Sequence, residues 1–392
     1  MENCAIICEF NPFHNGHEYL IKTAKEKTNE KIICLMSGDF SQHGEPTIQD
    51  KFTRAKNAIN CGADVVLELP TIFACSNAEN FAYGAIKILK ALNVKHLFFG
   101  IEKTNLETLW KIAKIKYDNS VSFQNCFKNE IENGFPFNVA LKRAILNEIG
   151  DNSVKDVLSH PNNILAIEYL TAILKLKSKI IPVAIERIDN GFESKISNNK
   201  YISATAIRDL LTKNEDVSCY VPKNCKIVNF FNSKNQEIYE KFIIGNLRKN
   251  DATNLGKFYD FNDGIEYKIK KEAENAISLN ELKSKIVSPR YKENRINKLL
   301  IYPLVGATKQ VVEGAKKSKS VCKCLAIRKD FKLFLSNINK SKISVITRND
   351  DYKNLTEKQK QVINIDLIAS NIYDLISNKP QNNDKKIGTM FL

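Results

Sequence analysis

The sequence predicts an α/β protein: a doubly wound parallel sheet over residues 1–215, then a basic, mostly helical region over residues 216–392. Three observations carry this. Short apolar runs alternate with amphipathic helical stretches through the first half, the rhythm of parallel strands joined by crossover helices. The rhythm stops near residue 215. Charge divides at nearly the same place: residues 1–200 hold 24 Lys and Arg against 23 Asp and Glu, and residues 201–392 hold 35 against 21.

Residues 4–10 form an apolar run too short for a helix and ended by Asn11-Pro12, so they read as a buried strand. Residues 18–27 read as a helix with Tyr19, Leu20 and Ala24 on one face. Strands follow at 31–37, 64–69 and 96–100, alternating with helices at 50–61 and 77–92. A helical insertion at about 104–160 is placed to cover the pocket. Pro161 suits the first turn of a helix running to residue 176, a last strand spans 179–186, and Ser203 opens a last helix. Beyond 215, residues 265–300 and 308–317 read as amphipathic helix. Segments 331–335, 343–346 and 362–368 suggest a small α/β unit, and the polar tail 378–386 reads as loose.

The chemistry concentrates where the first strand becomes helix. His14 and His17 sit there, three apart, with Gly16 between them. Unpaired amides and the dipole at a helix start favour phosphate, and Gly16 lets a phosphate or adenine approach the backbone. Two imidazoles so placed can donate to the oxygens of a pentavalent phosphorus. Losing one such donor typically costs roughly 100–1000-fold in rate. A plain surface loop or half a zinc site would also fit an isolated pair. No further ligand pair at metal-site spacing follows, so no protein-held metal is expected. A second run, Ile202-Ser203-Ala204-Thr205-Ala206-Ile207-Arg208, offers capping hydroxyls and a guanidinium fork to a phosphate.

Composition narrows the class. No run is long and apolar enough to span a membrane, and no signal peptide opens the chain. The ten cysteines are scattered; Cys322-Lys323-Cys324 is the closest spacing. They read as small buried residues of a cytoplasmic protein. The net charge of +15 falls almost wholly in the second half, and residues 301–350 hold 11 basic against 3 acidic side chains. That half reads as a surface for a polyanion.

The two motifs together resemble the HxGH nucleotidyltransferase superfamily, which includes the class I aminoacyl-tRNA synthetases. Longer stretches resemble one family within it, the bacterial tRNA(Met) cytidine acetate ligases. They are Met36-Ser37-Gly38-Asp39-Phe40-Ser41-Gln42-His43-Gly44-Glu45-Pro46, Lys51-Phe52-Thr53-Arg54-Ala55 and Gly62-Ala63-Asp64-Val65-Val66-Leu67-Glu68-Leu69-Pro70. Ala78 to Ala85, Phe99-Gly100-Ile101-Glu102, Pro161 to Leu170 and Arg290 to Leu300 fit as well. The resemblance covers residues 4 to about 305.

The resemblance implies a Rossmann-like domain over 1–215, a tRNA-binding region over 216–392, and a two-step reaction. ATP, with Mg2+, and acetate give acetyl-adenylate and pyrophosphate; the acetyl group then passes to N4 of the wobble cytidine of elongator tRNA(Met). It implies catalytic roles for His14, His17, Ser203, Thr205 and Arg208. ATP contacts are implied along Ile7, Cys8, Glu9, Phe10, Asn11, Pro12, Phe13, His14, Asn15, Gly16, His17, Glu18, Tyr19 and Leu20. Gly100, Asn162 or Asn163, and Arg187 complete that set, and Arg290, Arg295 and Lys298 are the expected RNA contacts. Glu68 and Glu79 are candidates for polar pocket or structural residues, and Asp39 for a magnesium contact. Where the family pattern suggests Gln-Arg-Gly, this chain has Gln42-His43-Gly44. Two other classes compete: a small-molecule nucleotidyltransferase, which rarely carries a long basic second half, and an RNA-binding protein with a relic nucleotide pocket, against which the intact motifs argue.

Overall fold

The computed structural model describes residues 2–151, 154–187, 200–228, 232–381 and 383–392. Its strands are β1 (Asn3–Cys8), β2 (Lys31–Ser37), β3 (Val65–Leu69), β4 (His96–Ile101), β5 (Ile181–Glu186), β6 (Ser320–Ile327), β7 (Ile343–Ile346) and β8 (Met390–Phe391). They form one sheet in the order β5-β4-β1-β2-β3-β6-β7, with β8 also paired to β6. Strands β1 to β5 are parallel. The chain winds outward from β1 through β2 to β3, then returns to the other side of β1 with β4 and β5. The winding therefore reverses between β1 and β4, where a cleft opens at the strands' carboxyl ends.

Side-chain alternation builds two cores. Cys4, Ile6 and Cys8 of β1 pack with Ile21 and Ala24 of helix Asn15–Thr28 and with Ala55 and Ala58 of helix Lys51–Asn60. Ala5 and the opposite faces of β2 to β4 pack under helices Ala78–Ala91 and Pro161–Lys175. In the first helix the expected face changes: Ile21 and Ala24 are buried, while Tyr19 and Leu20 turn to the cleft. The insertion helices Leu106–Asp118, Val121–Glu132, Phe137–Ile149 and Val154–Val157 stack outward from helix Pro161–Lys175. None of their residues lines the cleft they were expected to cover. Residues 152 and 153 of that insertion lie outside the described residues.

The sheet continues past residue 215. Strand β6 pairs antiparallel with β3, so a segment some 250 positions downstream covers its edge. Helix Ser233–Lys249, like β6, had not been read from the sequence. It packs with Ile265–Asn275, Leu279–Ile286 and Glu293–Val305, while helix Glu357–Ile376 lies against β6. No helix among the described residues is long and apolar enough to cross a membrane.

The tail is docked, not loose. Asp384 of the short helix Asn383–Lys386 is 3% exposed and meets Lys51 at 2.9 Å and Lys323. The reason is charge. Lys51 is wholly buried, with Glu68 at 2.8 Å and Asp39 at 3.9 Å on its other sides. A buried ammonium without counter-charge is prohibitively costly. Burial opposes ionisation of Lys51, but Asp384, Glu68 and Asp39 together hold its ammonium well above the usual range.

Candidate active site

Strand β1 ends at Cys8, and the chain turns through Phe10, whose φ of 52° lies in the left-handed region. Burial of the Phe10 ring, 4.7 Å from Phe13 and 4.8 Å from His17, holds that conformation. His14 then caps helix Asn15–Thr28: its Nδ1 accepts from the Gly16 amide at 3.0 Å. His17 reaches back, and its Nδ1 accepts from the His14 amide at 3.3 Å. A ring nitrogen that accepts carries no proton, so both neutral imidazoles hold theirs on Nε2. The rings stack with centroids 3.7 Å apart. Burial, with His14 and Arg187 beside it, holds His17 well below the usual histidine range. The reciprocal cap thus produces two stacked, neutral donors.

Their cleft is open to solvent and spans about 470 Å³, open space at its mouth included. His14, Gly16, His17, Tyr19 and Leu20 line one side, and Gly100, Ile185, Glu186, Arg187 and Tyr201 line the other. Both glycines are required by close approach. A Cβ on Gly16 would lie 2.9 Å from Cε1 of His14, and one on Gly100 would lie 2.9 Å from Cγ of Arg187. Ile185, Glu186 and Tyr201 were missed from the sequence. The strand-end position of the first two was the available signal; Tyr201 stands just before the second motif.

That motif is attached to the first. Ser203 caps helix Ala204–Thr212 through the Ala206 amide at 3.2 Å. Arg208 donates to the Asn11 carbonyl at 2.8 Å and to the Thr205 hydroxyl at 3.0 Å. Asn15 closes the junction: its side-chain amide donates to the carbonyls of Lys200 at 2.8 Å and Cys219 at 3.0 Å, and its main-chain amide to Tyr220 at 3.0 Å.

Other residues of the expected run hold the turn rather than line the cleft. Ile7, Cys8, Phe10 and Phe13 belong to the cores, Asn11 accepts from the Ile48 amide at 2.9 Å, and Pro12 is buried. Glu9 accepts from the Gln42 amide at 2.5 Å, and Glu18 pairs with Lys22 at 3.2 Å. Arg54, unassigned from the sequence, is wholly buried and donates to the carbonyls of Glu9 at 2.6 Å, Ser37 at 3.1 Å, Gln49 at 3.0 Å and Gly38. It ties the ends of β1 and β2 together.

The two asparagines separate. Asn163 is wholly buried and pins Glu102 through its amide at 2.9 Å and its carbonyl at 2.8 Å. Asn162 is half-buried and donates to the Glu102 carboxylate at 2.8 Å, which lies 4.0 Å from Arg187. Asp39 accepts from the Lys51 amide at 2.9 Å and from Ser370 at 2.8 Å, so both its oxygens are engaged away from the cleft. Glu68 belongs to the Lys51 cluster, and Glu79 pairs with Lys175 at 2.6 Å; neither lines the cleft.

Of the three expected RNA contacts, Arg295 is held by Asp260 at 3.0 and 3.2 Å. Lys298 is half-buried, and that burial lowers its ammonium from the usual range. Arg290 remains at the surface, 64% exposed, with Asp263 at 2.9 Å. His43 is exposed on a loop whose Gly44, at φ 77°, abuts the Asn297 backbone.

The sequence model for the family described as HIGH Nucleotidyl Transferase matches residues 1–387. A Thermoanaerobacter pseudethanolicus protein named tRNA(Met) cytidine acetate ligase is 35% identical over 380 residues, covering 94% of each chain. One of the same name from Clostridium perfringens is 33% identical over 390 residues, covering 96% of each. The crystal structure of Thermotoga maritima TmcAL bound with alpha-thio ATP matches over the full length of both chains, with a TM-score of 0.88 at 28% identity. Its apo form matches with a TM-score of 0.90 at 27%. The likeness therefore extends from the histidine turn to the docked tail, and the chain belongs to the tRNA(Met) cytidine acetate ligase family of HIGH nucleotidyltransferases.

Proposed function

We propose that this protein activates acetate with ATP as acetyl-adenylate, releasing pyrophosphate, and transfers the acetyl group to N4 of the wobble cytidine of elongator tRNA(Met). The observation that carries this reading is the pair of stacked imidazoles, each with its ring proton on Nε2, at the switch point of the sheet. The names of the relatives supply the substrates, and the alpha-thio ATP complex of the Thermotoga protein supports ATP as the nucleotide.

In the first step an acetate oxygen attacks the α-phosphorus and the bond to pyrophosphate breaks. His14 and His17 donate to the oxygens whose charge rises. The helix start at Ser203, with Thr205 and Arg208, holds the departing pyrophosphate. Arg187, at the cleft, holds the rest of the nucleotide, with Asn162 behind it through Glu102. In the second step the N4 amine attacks the acetyl carbon, AMP leaves, and a proton passes to solvent. Positioning supplies much of that acceleration, and a wobble base is already unpaired. Asp39 does not fit as a magnesium ligand, because its oxygens are spent on Lys51 and Ser370. Magnesium would arrive on the ATP phosphates. The basic second half, with Arg290 at its surface, supports tRNA binding.

The test is incubation of the purified protein with ATP, labelled acetate and bulk tRNA, followed by mass spectrometry of nucleosides. Labelled N4-acetylcytidine is expected. Pyrophosphate release without a labelled nucleoside would reassign the acceptor. A strict requirement for a phosphorylated metabolite would replace the reading with small-molecule nucleotidyl transfer.

A further inference from the structure

The stretch 217–226, just after the second motif's helix, makes no strand pairing. It is held chiefly by amide side chains. Asn15 binds the Cys219 carbonyl with its side-chain amide and the Tyr220 carbonyl with its main-chain amide; the side chains of Gln49 and Asn57 bind the Lys226 carbonyl at 2.8 and 3.0 Å; that of Asn60 binds the Asn224 carbonyl at 3.4 Å. It lies as a strap over the first-motif helix and helix Lys51–Asn60. Where it crosses the latter's end, Sγ of Cys225 stands 3.3 Å from Sγ of Cys61, although the residues are 164 positions apart. Cys61 is 5% exposed and Cys225 is half-buried, so the pair lies just beneath the surface.

We propose that Cys61 and Cys225 form a reversible thiol–disulfide site, oxidised by small peroxides, that fastens the strap to the core. A disulfide needs the sulfurs about 2.05 Å apart, so closure asks for an approach of only about 1.3 Å. The contact also favours the first deprotonation: the hydrogen bond from Cys225 lowers Cys61 from the usual thiol range, while the same contact raises Cys225, so one proton is shared by the pair.

The Cys61 sulfur, as the thiolate that the Cys225 hydrogen bond favours, attacks a peroxide oxygen. The O–O bond breaks, giving a sulfenic acid and hydroxide, which takes up the thiol's proton to become water. Cys225 then attacks the Cys61 sulfur, and the hydroxyl leaves as a second water with the Cys225 proton. Two thiols are oxidised to one disulfide and one peroxide is reduced to two waters. A dithiol reductant reverses the change.

The bond would fix the strap, which follows the second motif's helix and is held by Asn15 beside His14, to the end of helix Lys51–Asn60. That regulatory consequence rests on the adenylation reading above; the disulfide itself does not. The test is mild hydrogen peroxide on the native full-length protein, then peptide mass spectrometry and melting curves. The expected result is a linked Cys61–Cys225 peptide lighter by two hydrogens, reversed by dithiothreitol. The melting temperature should rise by about 5 °C or more. Cys225→Ser should abolish both effects, and Cys219→Ser, which alters the exposed neighbouring thiol, should preserve both. Oxidation that stops at Cys219 or Cys225 with Cys61 still alkylatable would overturn the proposal, as would a link seen only after denaturation. Failure of acetate activation alongside a normal crosslink would count against the proposed activity alone.

Discussion

Arg208 donates to the main-chain oxygen of Asn11, 2.8 Å away and 197 positions earlier in the chain. One guanidinium thereby links the turn that carries the histidines to the helix that carries Ser203 and Thr205. Arg208→Lys keeps the charge but loses the planar fork. It should lower acetate-dependent pyrophosphate release by about 100-fold or more, with a melting temperature near that of the wild type. Equal loss of melting temperature and rate would show that the link is only structural.

His17→Ala should abolish acetate-dependent pyrophosphate release and leave tRNA affinity nearly unchanged, as read by filter binding. Because folded His17 sits well below 6.5, it stays neutral through the neutral range. The unfolded chain takes up a proton as pH falls below about 6.5 while the folded protein does not, so this residue withdraws stability on the acid side. Melting curves of His17→Gln should lose part of the acid-side decline. An unchanged pH profile would refute the buried, neutral assignment.

Gly100→Ala should raise KM for ATP by about tenfold with a smaller effect on kcat, since a methyl group there displaces the Arg187 stem. Steady-state kinetics separate this from a folding defect, which would reduce both the active fraction and the melting temperature.

Lys51→Ala should destabilise by about 3–5 kcal/mol, because it takes from the buried Asp384 carboxylate one of the two cations that hold it ionised. Within that cluster burial raises Glu68 to about 8, against the pull of Lys51; nearby, on helix Glu357–Ile376, burial raises Asp366, which accepts from the Thr71 amide at 2.7 Å, to about 7. The folded protein keeps protons that the unfolded chain has released, so these groups contribute stability at acid pH that is lost as pH rises through about 7 to 8. Glu68→Gln should flatten the fall in melting temperature between pH 6.5 and 8. A slope identical to wild type would assign the effect elsewhere.

Binding of tRNA should weaken steeply with salt, and Arg290→Glu should weaken it without shifting the melting temperature. Arg295→Glu should instead lower the melting temperature by about 5 °C, because it faces Asp260 across a half-buried pair. Reversal of these two outcomes would put the RNA contact at Arg295.

The sequence showed the strands and helices of the first half to within a few residues, because each carries its own period and its own stops. It showed both motifs, since each is contiguous. What it hid depends on distant partners. Strand β6 is apolar on both faces and carries Lys323 into the core, a residue that reads as surface until Asp384 is placed beside it. The tail looked loose because its polarity is used inward. The roles of Asn162 and Asn163 parted only when Glu102 was seen between them. Arg54 had no role assigned from the sequence, because the four carbonyls that converge on it come from three separate segments of the chain.

The docking of β6 and Asp384 bears on how the molecule is made. The ribosome completes every residue of the histidine turn early, yet the edge of β3 stays open until residues 320–327 emerge, and Lys51 lacks its nearest tail carboxylate until residue 384 does. The β3 edge and the Lys51 cluster beneath it are therefore completed long after the histidine turn. A chain cut before residue 320 would hold both motifs, yet leave the edge of β3 uncovered and Lys51 short of the Asp384 carboxylate.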